Sequence, residues 1–486
     1  MSPQKSNYIR FQGMDYLRAA LIGLPVGLIA VFSPAWLLVG LLFFISLYLI
    51  KKHLRSKSRN FLVTIFIIGF ALRVILSFIN YHVGFMTGVK GPDTQPDAVT
   101  YNNHAFYISY VLKGGALHNE KYQKDPYLVK AINHESNEFN GRIPPIGHYQ
   151  YGFYVYLLGL IYTIFGYAPI AAKAINGLFG CLSSIMVYYI ARMLTGSERT
   201  SKIAALVTMF FPSLVYWSAT LLRDPMANFL FLLYIALLIA YLKKDKKYIL
   251  ILSFLAALAL ALFKEKIVLI LLLGCLFTFV LQFFRELRMK KVLTRWFIIG
   301  AISIITIALG LIYREVIANV VYHFVSSIFI SHKLAARDLV SYSTYTLYKS
   351  TLYTQPTFDM RNILDISLPF SIVKALAYYF LSPFPWKISY AHPLLIFFYP
   401  QVIFTFIIFP VMLFGIFALF RKDIFTALAL IVLLSLVIIP QAMAEAIIGT
   451  VVRHRDMFTP FLIIFASYGF SLSVLPPEND KEGSLS

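Results

Sequence analysis

Residues 51–59, KKHLRSKSR, lead through Asn60 into residues 61–80, FLVTIFIIGFALRVILSFIN. The first stretch carries Lys51, Lys52, Arg55, Lys57 and Arg59 and no acid. The second is apolar over the length a helix needs to cross a hydrocarbon core of about 30 Å. A basic loop feeding such a run sets both a membrane span and its orientation, because positively charged loops stay in the cytoplasm. Similar apolar runs lie at 17–33, 35–50, 169–190, 203–221, 226–242, 248–263, 267–284, 296–313, 395–420, 424–441 and 457–473, which predicts about twelve spans. Charged residues are only 13% of the chain and hydrophobic ones 59%, whereas a soluble domain carries about a quarter charged residues. A soluble domain of ordinary size is thereby excluded. The expected fold class is an all-α, polytopic transmembrane helical protein.

Three more basic loops match the first: around Arg192, Arg199 and Lys202; around Lys243, Lys244, Lys246 and Lys247; and from Arg285 to Arg295. With all four in the cytoplasm, alternation puts two long connections outside, the first loop at 82–168 and the second at 314–394. Both termini fall inside, with a polar, disordered cytoplasmic tail at 476–486 after a membrane domain at 1–475. Tyr149 to Phe165 and Ile366 to Leu381 have both ends outside in this scheme, so they are expected as interfacial helices. Leu17 to Ser33 runs through Pro34 and Trp36 into the next run without a small-residue cleavage site, so it reads as a retained span. The net charge of +21 sits mostly in short loops, as orientation signals do, and does not call for nucleic acid. Cys181 and Cys275 both lie in apolar runs, which argues against a disulfide.

Ionisable groups at the ends of spans mark candidate sites, because burying them is costly unless they are paired or wet. The outer face collects several. Asp93 and Asp97 lie in GPDTQPDAVTY, residues 91–101, just before an expected helix from Ala98 to Leu112. An acid there suits a base or a metal ligand, and equally an ordinary N-cap. Arg223-Asp224-Pro225 and Lys264-Glu265-Lys266 sit at external turns, where a snorkelling Arg, a capping Asp and a short hairpin are the plain alternatives. Arg453-His454-Arg455 runs against the positive-inside trend and could hold a lipid phosphate, since Arg pairs bidentately with phosphate oxygens. His104, His134 and His148 with Glu135 and Glu138 could build a metal site, although external loops often carry such residues without one. The sequence holds no P-loop, dinucleotide fingerprint, His-Glu-x-x-His or paired-Cys motif.

In order and spacing, these residues resemble the C-type integral-membrane glycosyltransferases, the superfamily of protein O-mannosyltransferases and aminoarabinose–lipid A transferases. The likeness rests on Asp97-Ala-Val-Thr-Tyr101, on YGFYVYLLGLIYTIFG at 151–166, and on AAKAING at 171–177. It continues through YIARMLTG at 189–196, FPSLVYWS at 211–218, Leu222-Arg-Asp-Pro225, and GTVVRHR at 449–455 before Pro460. It is strongest over about 90–270 and moderate near 445–465. The resemblance implies a sugar donor on a polyprenyl phosphate, a glycan, lipid or protein acceptor, and a site on the external face of the cell membrane. It assigns the general base to Asp97, with Asp93 as a second acid. Many relatives have two adjacent acids there, whereas here Thr94, Gln95 and Pro96 intervene. Lys264, Arg223, Arg453 and Arg455 would bind the donor phosphate, with Asp224, Tyr101, His104 and Glu445 supporting. A divalent metal, if used, would sit on Asp97 and Asp224.

Two other activities share this topology. A polymerase or ligase of lipid diphosphate-linked glycans would rely on Arg223, Arg453 and Arg455 more than on Asp97. A transporter or flippase of lipid-linked sugars would place polar residues near the midplane. The mid-span positions are almost bare of charge, which favours an enzyme working at one surface.

Overall fold

The computed structural model describes residues 33–53, 56–82, 96–115, 126–147, 151–244, 246–264, 267–287, 367–381, 384, 393–444 and 448–474. Every regular element among them is a helix. The amino-terminal helices are α1 (Ala35–His53), α2 (Ser56–His82), α3 (Pro96–Leu112), α4 (Pro126–Phe139), α5 (Phe153–Phe165) and α6 (Pro169–Thr195). The middle of the chain gives α7 (Glu198–Phe210), α8 (Pro212–Ser218), α9 (Asp224–Lys244), α10 (Lys247–Ala261) and α11 (Val268–Leu287). The last five are α12 (Ser367–Leu381), α13 (Pro393–Lys422), α14 (Ile424–Ala444), α15 (Ile448–Arg455) and α16 (Thr459–Ser473).

Six of these are long and apolar enough to cross a membrane: α1, α2, α6, α9, α13 and α14. Helices α5, α10 and α16 and the apolar part of α11 are shorter. The chain is therefore a helical membrane protein. The expected run at 203–221 is not one helix. Pro212 has no N–H to continue the ladder and biases the residue before it away from helix. Phe211 is accordingly extended, with ψ of 122°, and the run divides into α7 and α8. Within the segments 149–165 and 366–381, helices α5 (Phe153–Phe165) and α12 (Ser367–Leu381) form. The runs at 17–32 and 296–313, the tail 476–486, and most of 314–394 lie outside the described residues.

Local sequence explains the boundaries that matter. Pro169 opens α6, where a missing N–H costs nothing. Gly196 ends it in the left-handed region at φ 71°, its N–H returning to Arg192 O at 3.0 Å. Ser197 then caps α7, accepting from Thr200 N at 3.1 Å. Glu198 in that first turn takes Tyr188 OH at 2.8 Å and the ammonium of Lys202 at 3.3 Å.

Burial separates centre from periphery. The spans in α6 and α9 are 72% and 67% buried, whereas those in α1 and α13 are 22% buried and offer their flanks to lipid. Helix association within a bilayer depends on close packing rather than on expulsion of water. Gly415 of α13 and Gly469 of α16 meet at such a contact. A Cβ on Gly415 would collide with the Phe465 carbonyl, and one on Gly469 with the Val411 carbonyl. Likewise Gly159 of α5 admits Ile108 of α3, whose Cγ2 would be 2.8 Å from an added Cβ.

The centre is less apolar than the sequence suggests. Arg73 of α2 is fully buried, donating from Nε to Ser218 Oγ at 2.7 Å and from Nη1 to Gly69 O at 3.0 Å. Lys173 of α6 is also buried. Asn176, one turn further, donates to Tyr154 OH at 2.8 Å, Thr220 O at 2.7 Å and Leu222 O at 2.8 Å. It thereby satisfies carbonyls in the non-helical stretch between α8 and α9 and fixes the approach to Arg223 and Asp224.

Candidate active site

Helix α3 begins at Pro96, with Asp97 in its first turn. Asp97, Tyr101 and His104 follow at i, i+4 and i+7 and so share one face. Packing on α5 orients that face: Tyr101 meets the Tyr154 ring edge-to-face at 5.8 Å, and Tyr162 OH donates to Asn102 Oδ1 at 2.9 Å. Asp224 opens α9, where a carboxylate suits the helix dipole. Lys264 lies just beyond α10, and Arg453 near the end of α15.

These residues converge. Arg453 donates from Nη1 to Asp97 Oδ2 at 2.5 Å and from Nε to Asp224 Oδ2 at 2.6 Å. Lys264 Nζ lies 3.2 Å from Asp224 Oδ1. The two acids differ in access: the Asp97 side chain is 44% exposed and that of Asp224 only 2%. Asp224 is thus an anchor held from two sides, and Asp97 is the acid that an incoming molecule can reach. Tyr101 lies close enough to feel both acids, Arg223 and Arg453. Burial raises its phenol above the usual range, and the two guanidiniums only partly offset that. Burial also opposes the charge on Arg453, but Asp224 and Asp97 overcome it and hold the guanidinium firmly protonated. The Lys264 ammonium is lowered by burial despite Asp224 beside it.

This arrangement does not fit a divalent ion on Asp97 and Asp224. The facing oxygen of each carboxylate is taken by one guanidinium, and the second oxygen of Asp224 faces an ammonium. Four of the sequence-predicted residues, Asp97, Asp224, Arg453 and Lys264, are joined directly, with Tyr101 and Arg223 beside them. Arg455 is not among them. It is buried and donates to Tyr379 O at 3.2 Å and Phe380 O at 2.8 Å, tying α15 to α12. His104 turns to a second group, stacking on Tyr151 with centroids 4.0 Å apart and meeting Glu135. Asp93, His148 and Glu445 lie outside the described residues.

Sequence reasoning passed over Asp456, in the turn between α15 and α16. It is 1% exposed; its Oδ1 accepts from Ser213 Oγ at 2.8 Å and Thr459 Oγ1 at 3.2 Å. Its Oδ2 is buried without a hydrogen-bond partner among the described residues. Burial pushes its carboxyl up to about 7, against the lowering effect of the Ser213 hydrogen bond. A small cavity that Asp456 shares with Asp224, Arg453, Thr208, Trp217 and Ser218 lies behind the ion pairs. Its signal in the sequence was an acid directly following Arg-His-Arg and directly preceding an apolar run.

No protein-family model, curated protein or solved structure matches this chain.

Proposed function

We propose that this protein is a membrane-embedded glycosyltransferase that moves a sugar from a polyprenyl-phosphate donor to a hydroxyl acceptor, with Asp97 as general base. The observation that carries the proposal is the Arg453 bridge, which sets an accessible carboxylate beside a guanidinium of the kind that binds phosphate. Two carboxylates, Asp97 and Asp224, face three cations, Arg453, Lys264 and Arg223, which leaves one positive charge in excess. That balance suits an anionic head group.

In the proposed cycle the donor phosphate competes for Arg453 and loosens its bond to Asp97. The freed carboxylate takes the acceptor hydroxyl proton as that oxygen attacks the anomeric carbon. The bond from the anomeric carbon to the phosphate oxygen breaks, and its electron pair stays on the phosphate. Arg453 and Lys264 stabilise that charge where it develops. Single displacement with one base inverts the anomeric centre.

The topology belongs to the same proposal: about twelve spans in the plasma membrane, both termini cytoplasmic, the site external, and α5 and α12 at the interface. Cysteines placed at Lys113 and Gly166 would then be labelled from the same side. The direct test is to reconstitute the full chain in vesicles with polyprenyl-phosphate hexoses or pentoses and a hydroxyl acceptor. Release of free polyprenyl phosphate together with a glycosylated product is the expected result. Turnover of lipid diphosphate-linked glycans instead would favour a polymerase or ligase, and movement of unaltered donor across the bilayer would favour a flippase.

A further inference from the structure

Away from the Arg453 cluster, a second set of polar side chains meets where α3 packs on α4. His134, Glu135 and Glu138 project from α4 with their ligating atoms within 4.8 Å of one another. His104 comes from α3, its Nε2 3.4 Å from Glu135 Oε1. His134 Nδ1 approaches the same oxygen at 3.3 Å. One carboxylate oxygen therefore lies between imidazole nitrogens from two helices, and a second carboxylate stands a turn away.

We propose that His104, His134, Glu135 and Glu138 bind a transition-metal dication of the zinc class, clamping α3 to α4. Ligand type selects the ion: two imidazoles with carboxylates suit zinc, whereas magnesium and calcium take oxygen sets. Four side chains meet the usual ligand count of a closed site. The supporting groups such a site needs are also present. Tyr151 OH donates to Glu135 Oε2, and the Tyr151 ring lies nearly parallel to His104, at an interplanar angle of 5°. Tyr151 thus fixes the orientation of both Glu135 and His104. An entry path exists, since the His104 and Glu135 side chains are only 8% exposed but that of His134 is 72% exposed. The clamp would bear on the site already described, because His104 lies two turns along the helix that carries Asp97. It does not depend on the glycosyltransferase proposal.

The test uses the full chain in detergent, without an affinity tag and stripped by chelator, titrated with zinc chloride and then with magnesium chloride. One equivalent of zinc should bind and raise the melting temperature, and magnesium should do neither. His134→Ala and Glu138→Gln alter exposed side chains, so both should fold. Each should weaken zinc by at least the roughly tenfold that even outer-shell changes cause, and abolish the zinc-dependent rise in melting temperature. Absence of stoichiometric zinc would overturn the proposal, as would equal affinity in wild type and both variants. Loss of sugar transfer with zinc binding intact would bear on the proposed function alone.

Discussion

Arg453 and Asp97 are joined at 2.5 Å although 356 positions separate them in the chain. The bond has a direct consequence for the role of Asp97. An acid at the start of a helix could serve only as a cap, but this one spends an oxygen on a guanidinium from the far end of the protein.

Asp97→Asn separates those roles. Asn is nearly isosteric, caps a helix about as well, and cannot act as a base. The variant should fold and bind donor, with turnover reduced about a hundredfold or more. A fully active Asp97→Asn enzyme, assayed with its true acceptor, would remove the base from Asp97 and favour the arginine-dependent polymerase mechanism.

Asp224→Asn should behave differently, because Asp224 is almost fully buried between Arg453 and Lys264. Removing one member of a buried ion pair strands the others and typically costs about 3–5 kcal/mol. Thermal unfolding should therefore move strongly for Asp224→Asn and little for Asp97→Asn. Equal stability losses would contradict the division into anchor and accessible acid.

Arg453→Lys keeps the charge and loses the fork. An ammonium is a point charge on a flexible stem and cannot reproduce the planar two-nitrogen contact with both acids. Donor affinity should fall while the protein remains folded, and a lipid-binding assay at two salt concentrations should detect the change. Donor affinity equal to wild type would reduce Arg453 to a structural cross-link.

Asp456 makes stability depend on pH. Its folded-state value of about 7 is above the ordinary 3.8, so the folded chain holds that proton more tightly than the unfolded chain does. Stability should therefore fall as pH rises from about 4 to about 7 and then level off. Asp456→Asn should flatten this slope, so that its stability relative to wild type is more favourable at pH 8 than at pH 4. Unchanged slopes in detergent melts across that range would contradict the assignment.

Gly469→Val tests the contact between α13 and α16. The new side chain would meet the Val411 carbonyl, which belongs to a rigid helix backbone and has little room to move. Destabilisation should reach or exceed the roughly 1–3 kcal/mol of ordinary overpacking. A substitution at Gly40, which has nothing within 4 Å of an added Cβ, is the matched control.

The helical membrane class was legible because apolar runs and basic loops act locally. Runs at 35–50, 61–80, 169–190 and 226–242 became α1, α2, α6 and α9 with ends shifted by a few residues. The break at Phe211–Pro212 was legible in principle, since proline acts on its immediate neighbour, but hydropathy averaged over the run hid it. Pairing was not legible. Asp97, Asp224, Lys264 and Arg453 could each be nominated as an ionisable group at a helix end, yet nothing local says that one guanidinium bridges two of them. Arg455 illustrates the limit: two positions from Arg453, it points into a different helix contact. Arg73 was passed over because one charge scarcely changes the mean hydropathy of a long run, although a lone charge inside a span is itself a signal.

The Arg453 bridge also bears on how the protein is made. Asp97 and Asp224 are synthesised in the first half of the chain, and Arg453 follows Asp224 by 229 residues. At about 5–20 residues per second, the ribosome needs roughly 10–45 s to cover that interval. Throughout it the nascent chain carries a pair of acids without the guanidinium that joins them. A product that ends before α15 would contain most of the helices and still lack the guanidinium that bridges Asp97 and Asp224. The junction of α3, α9 and α15 is thus closed late in synthesis, because the bridge between Asp97 and Asp224 forms only once Arg453 has been made.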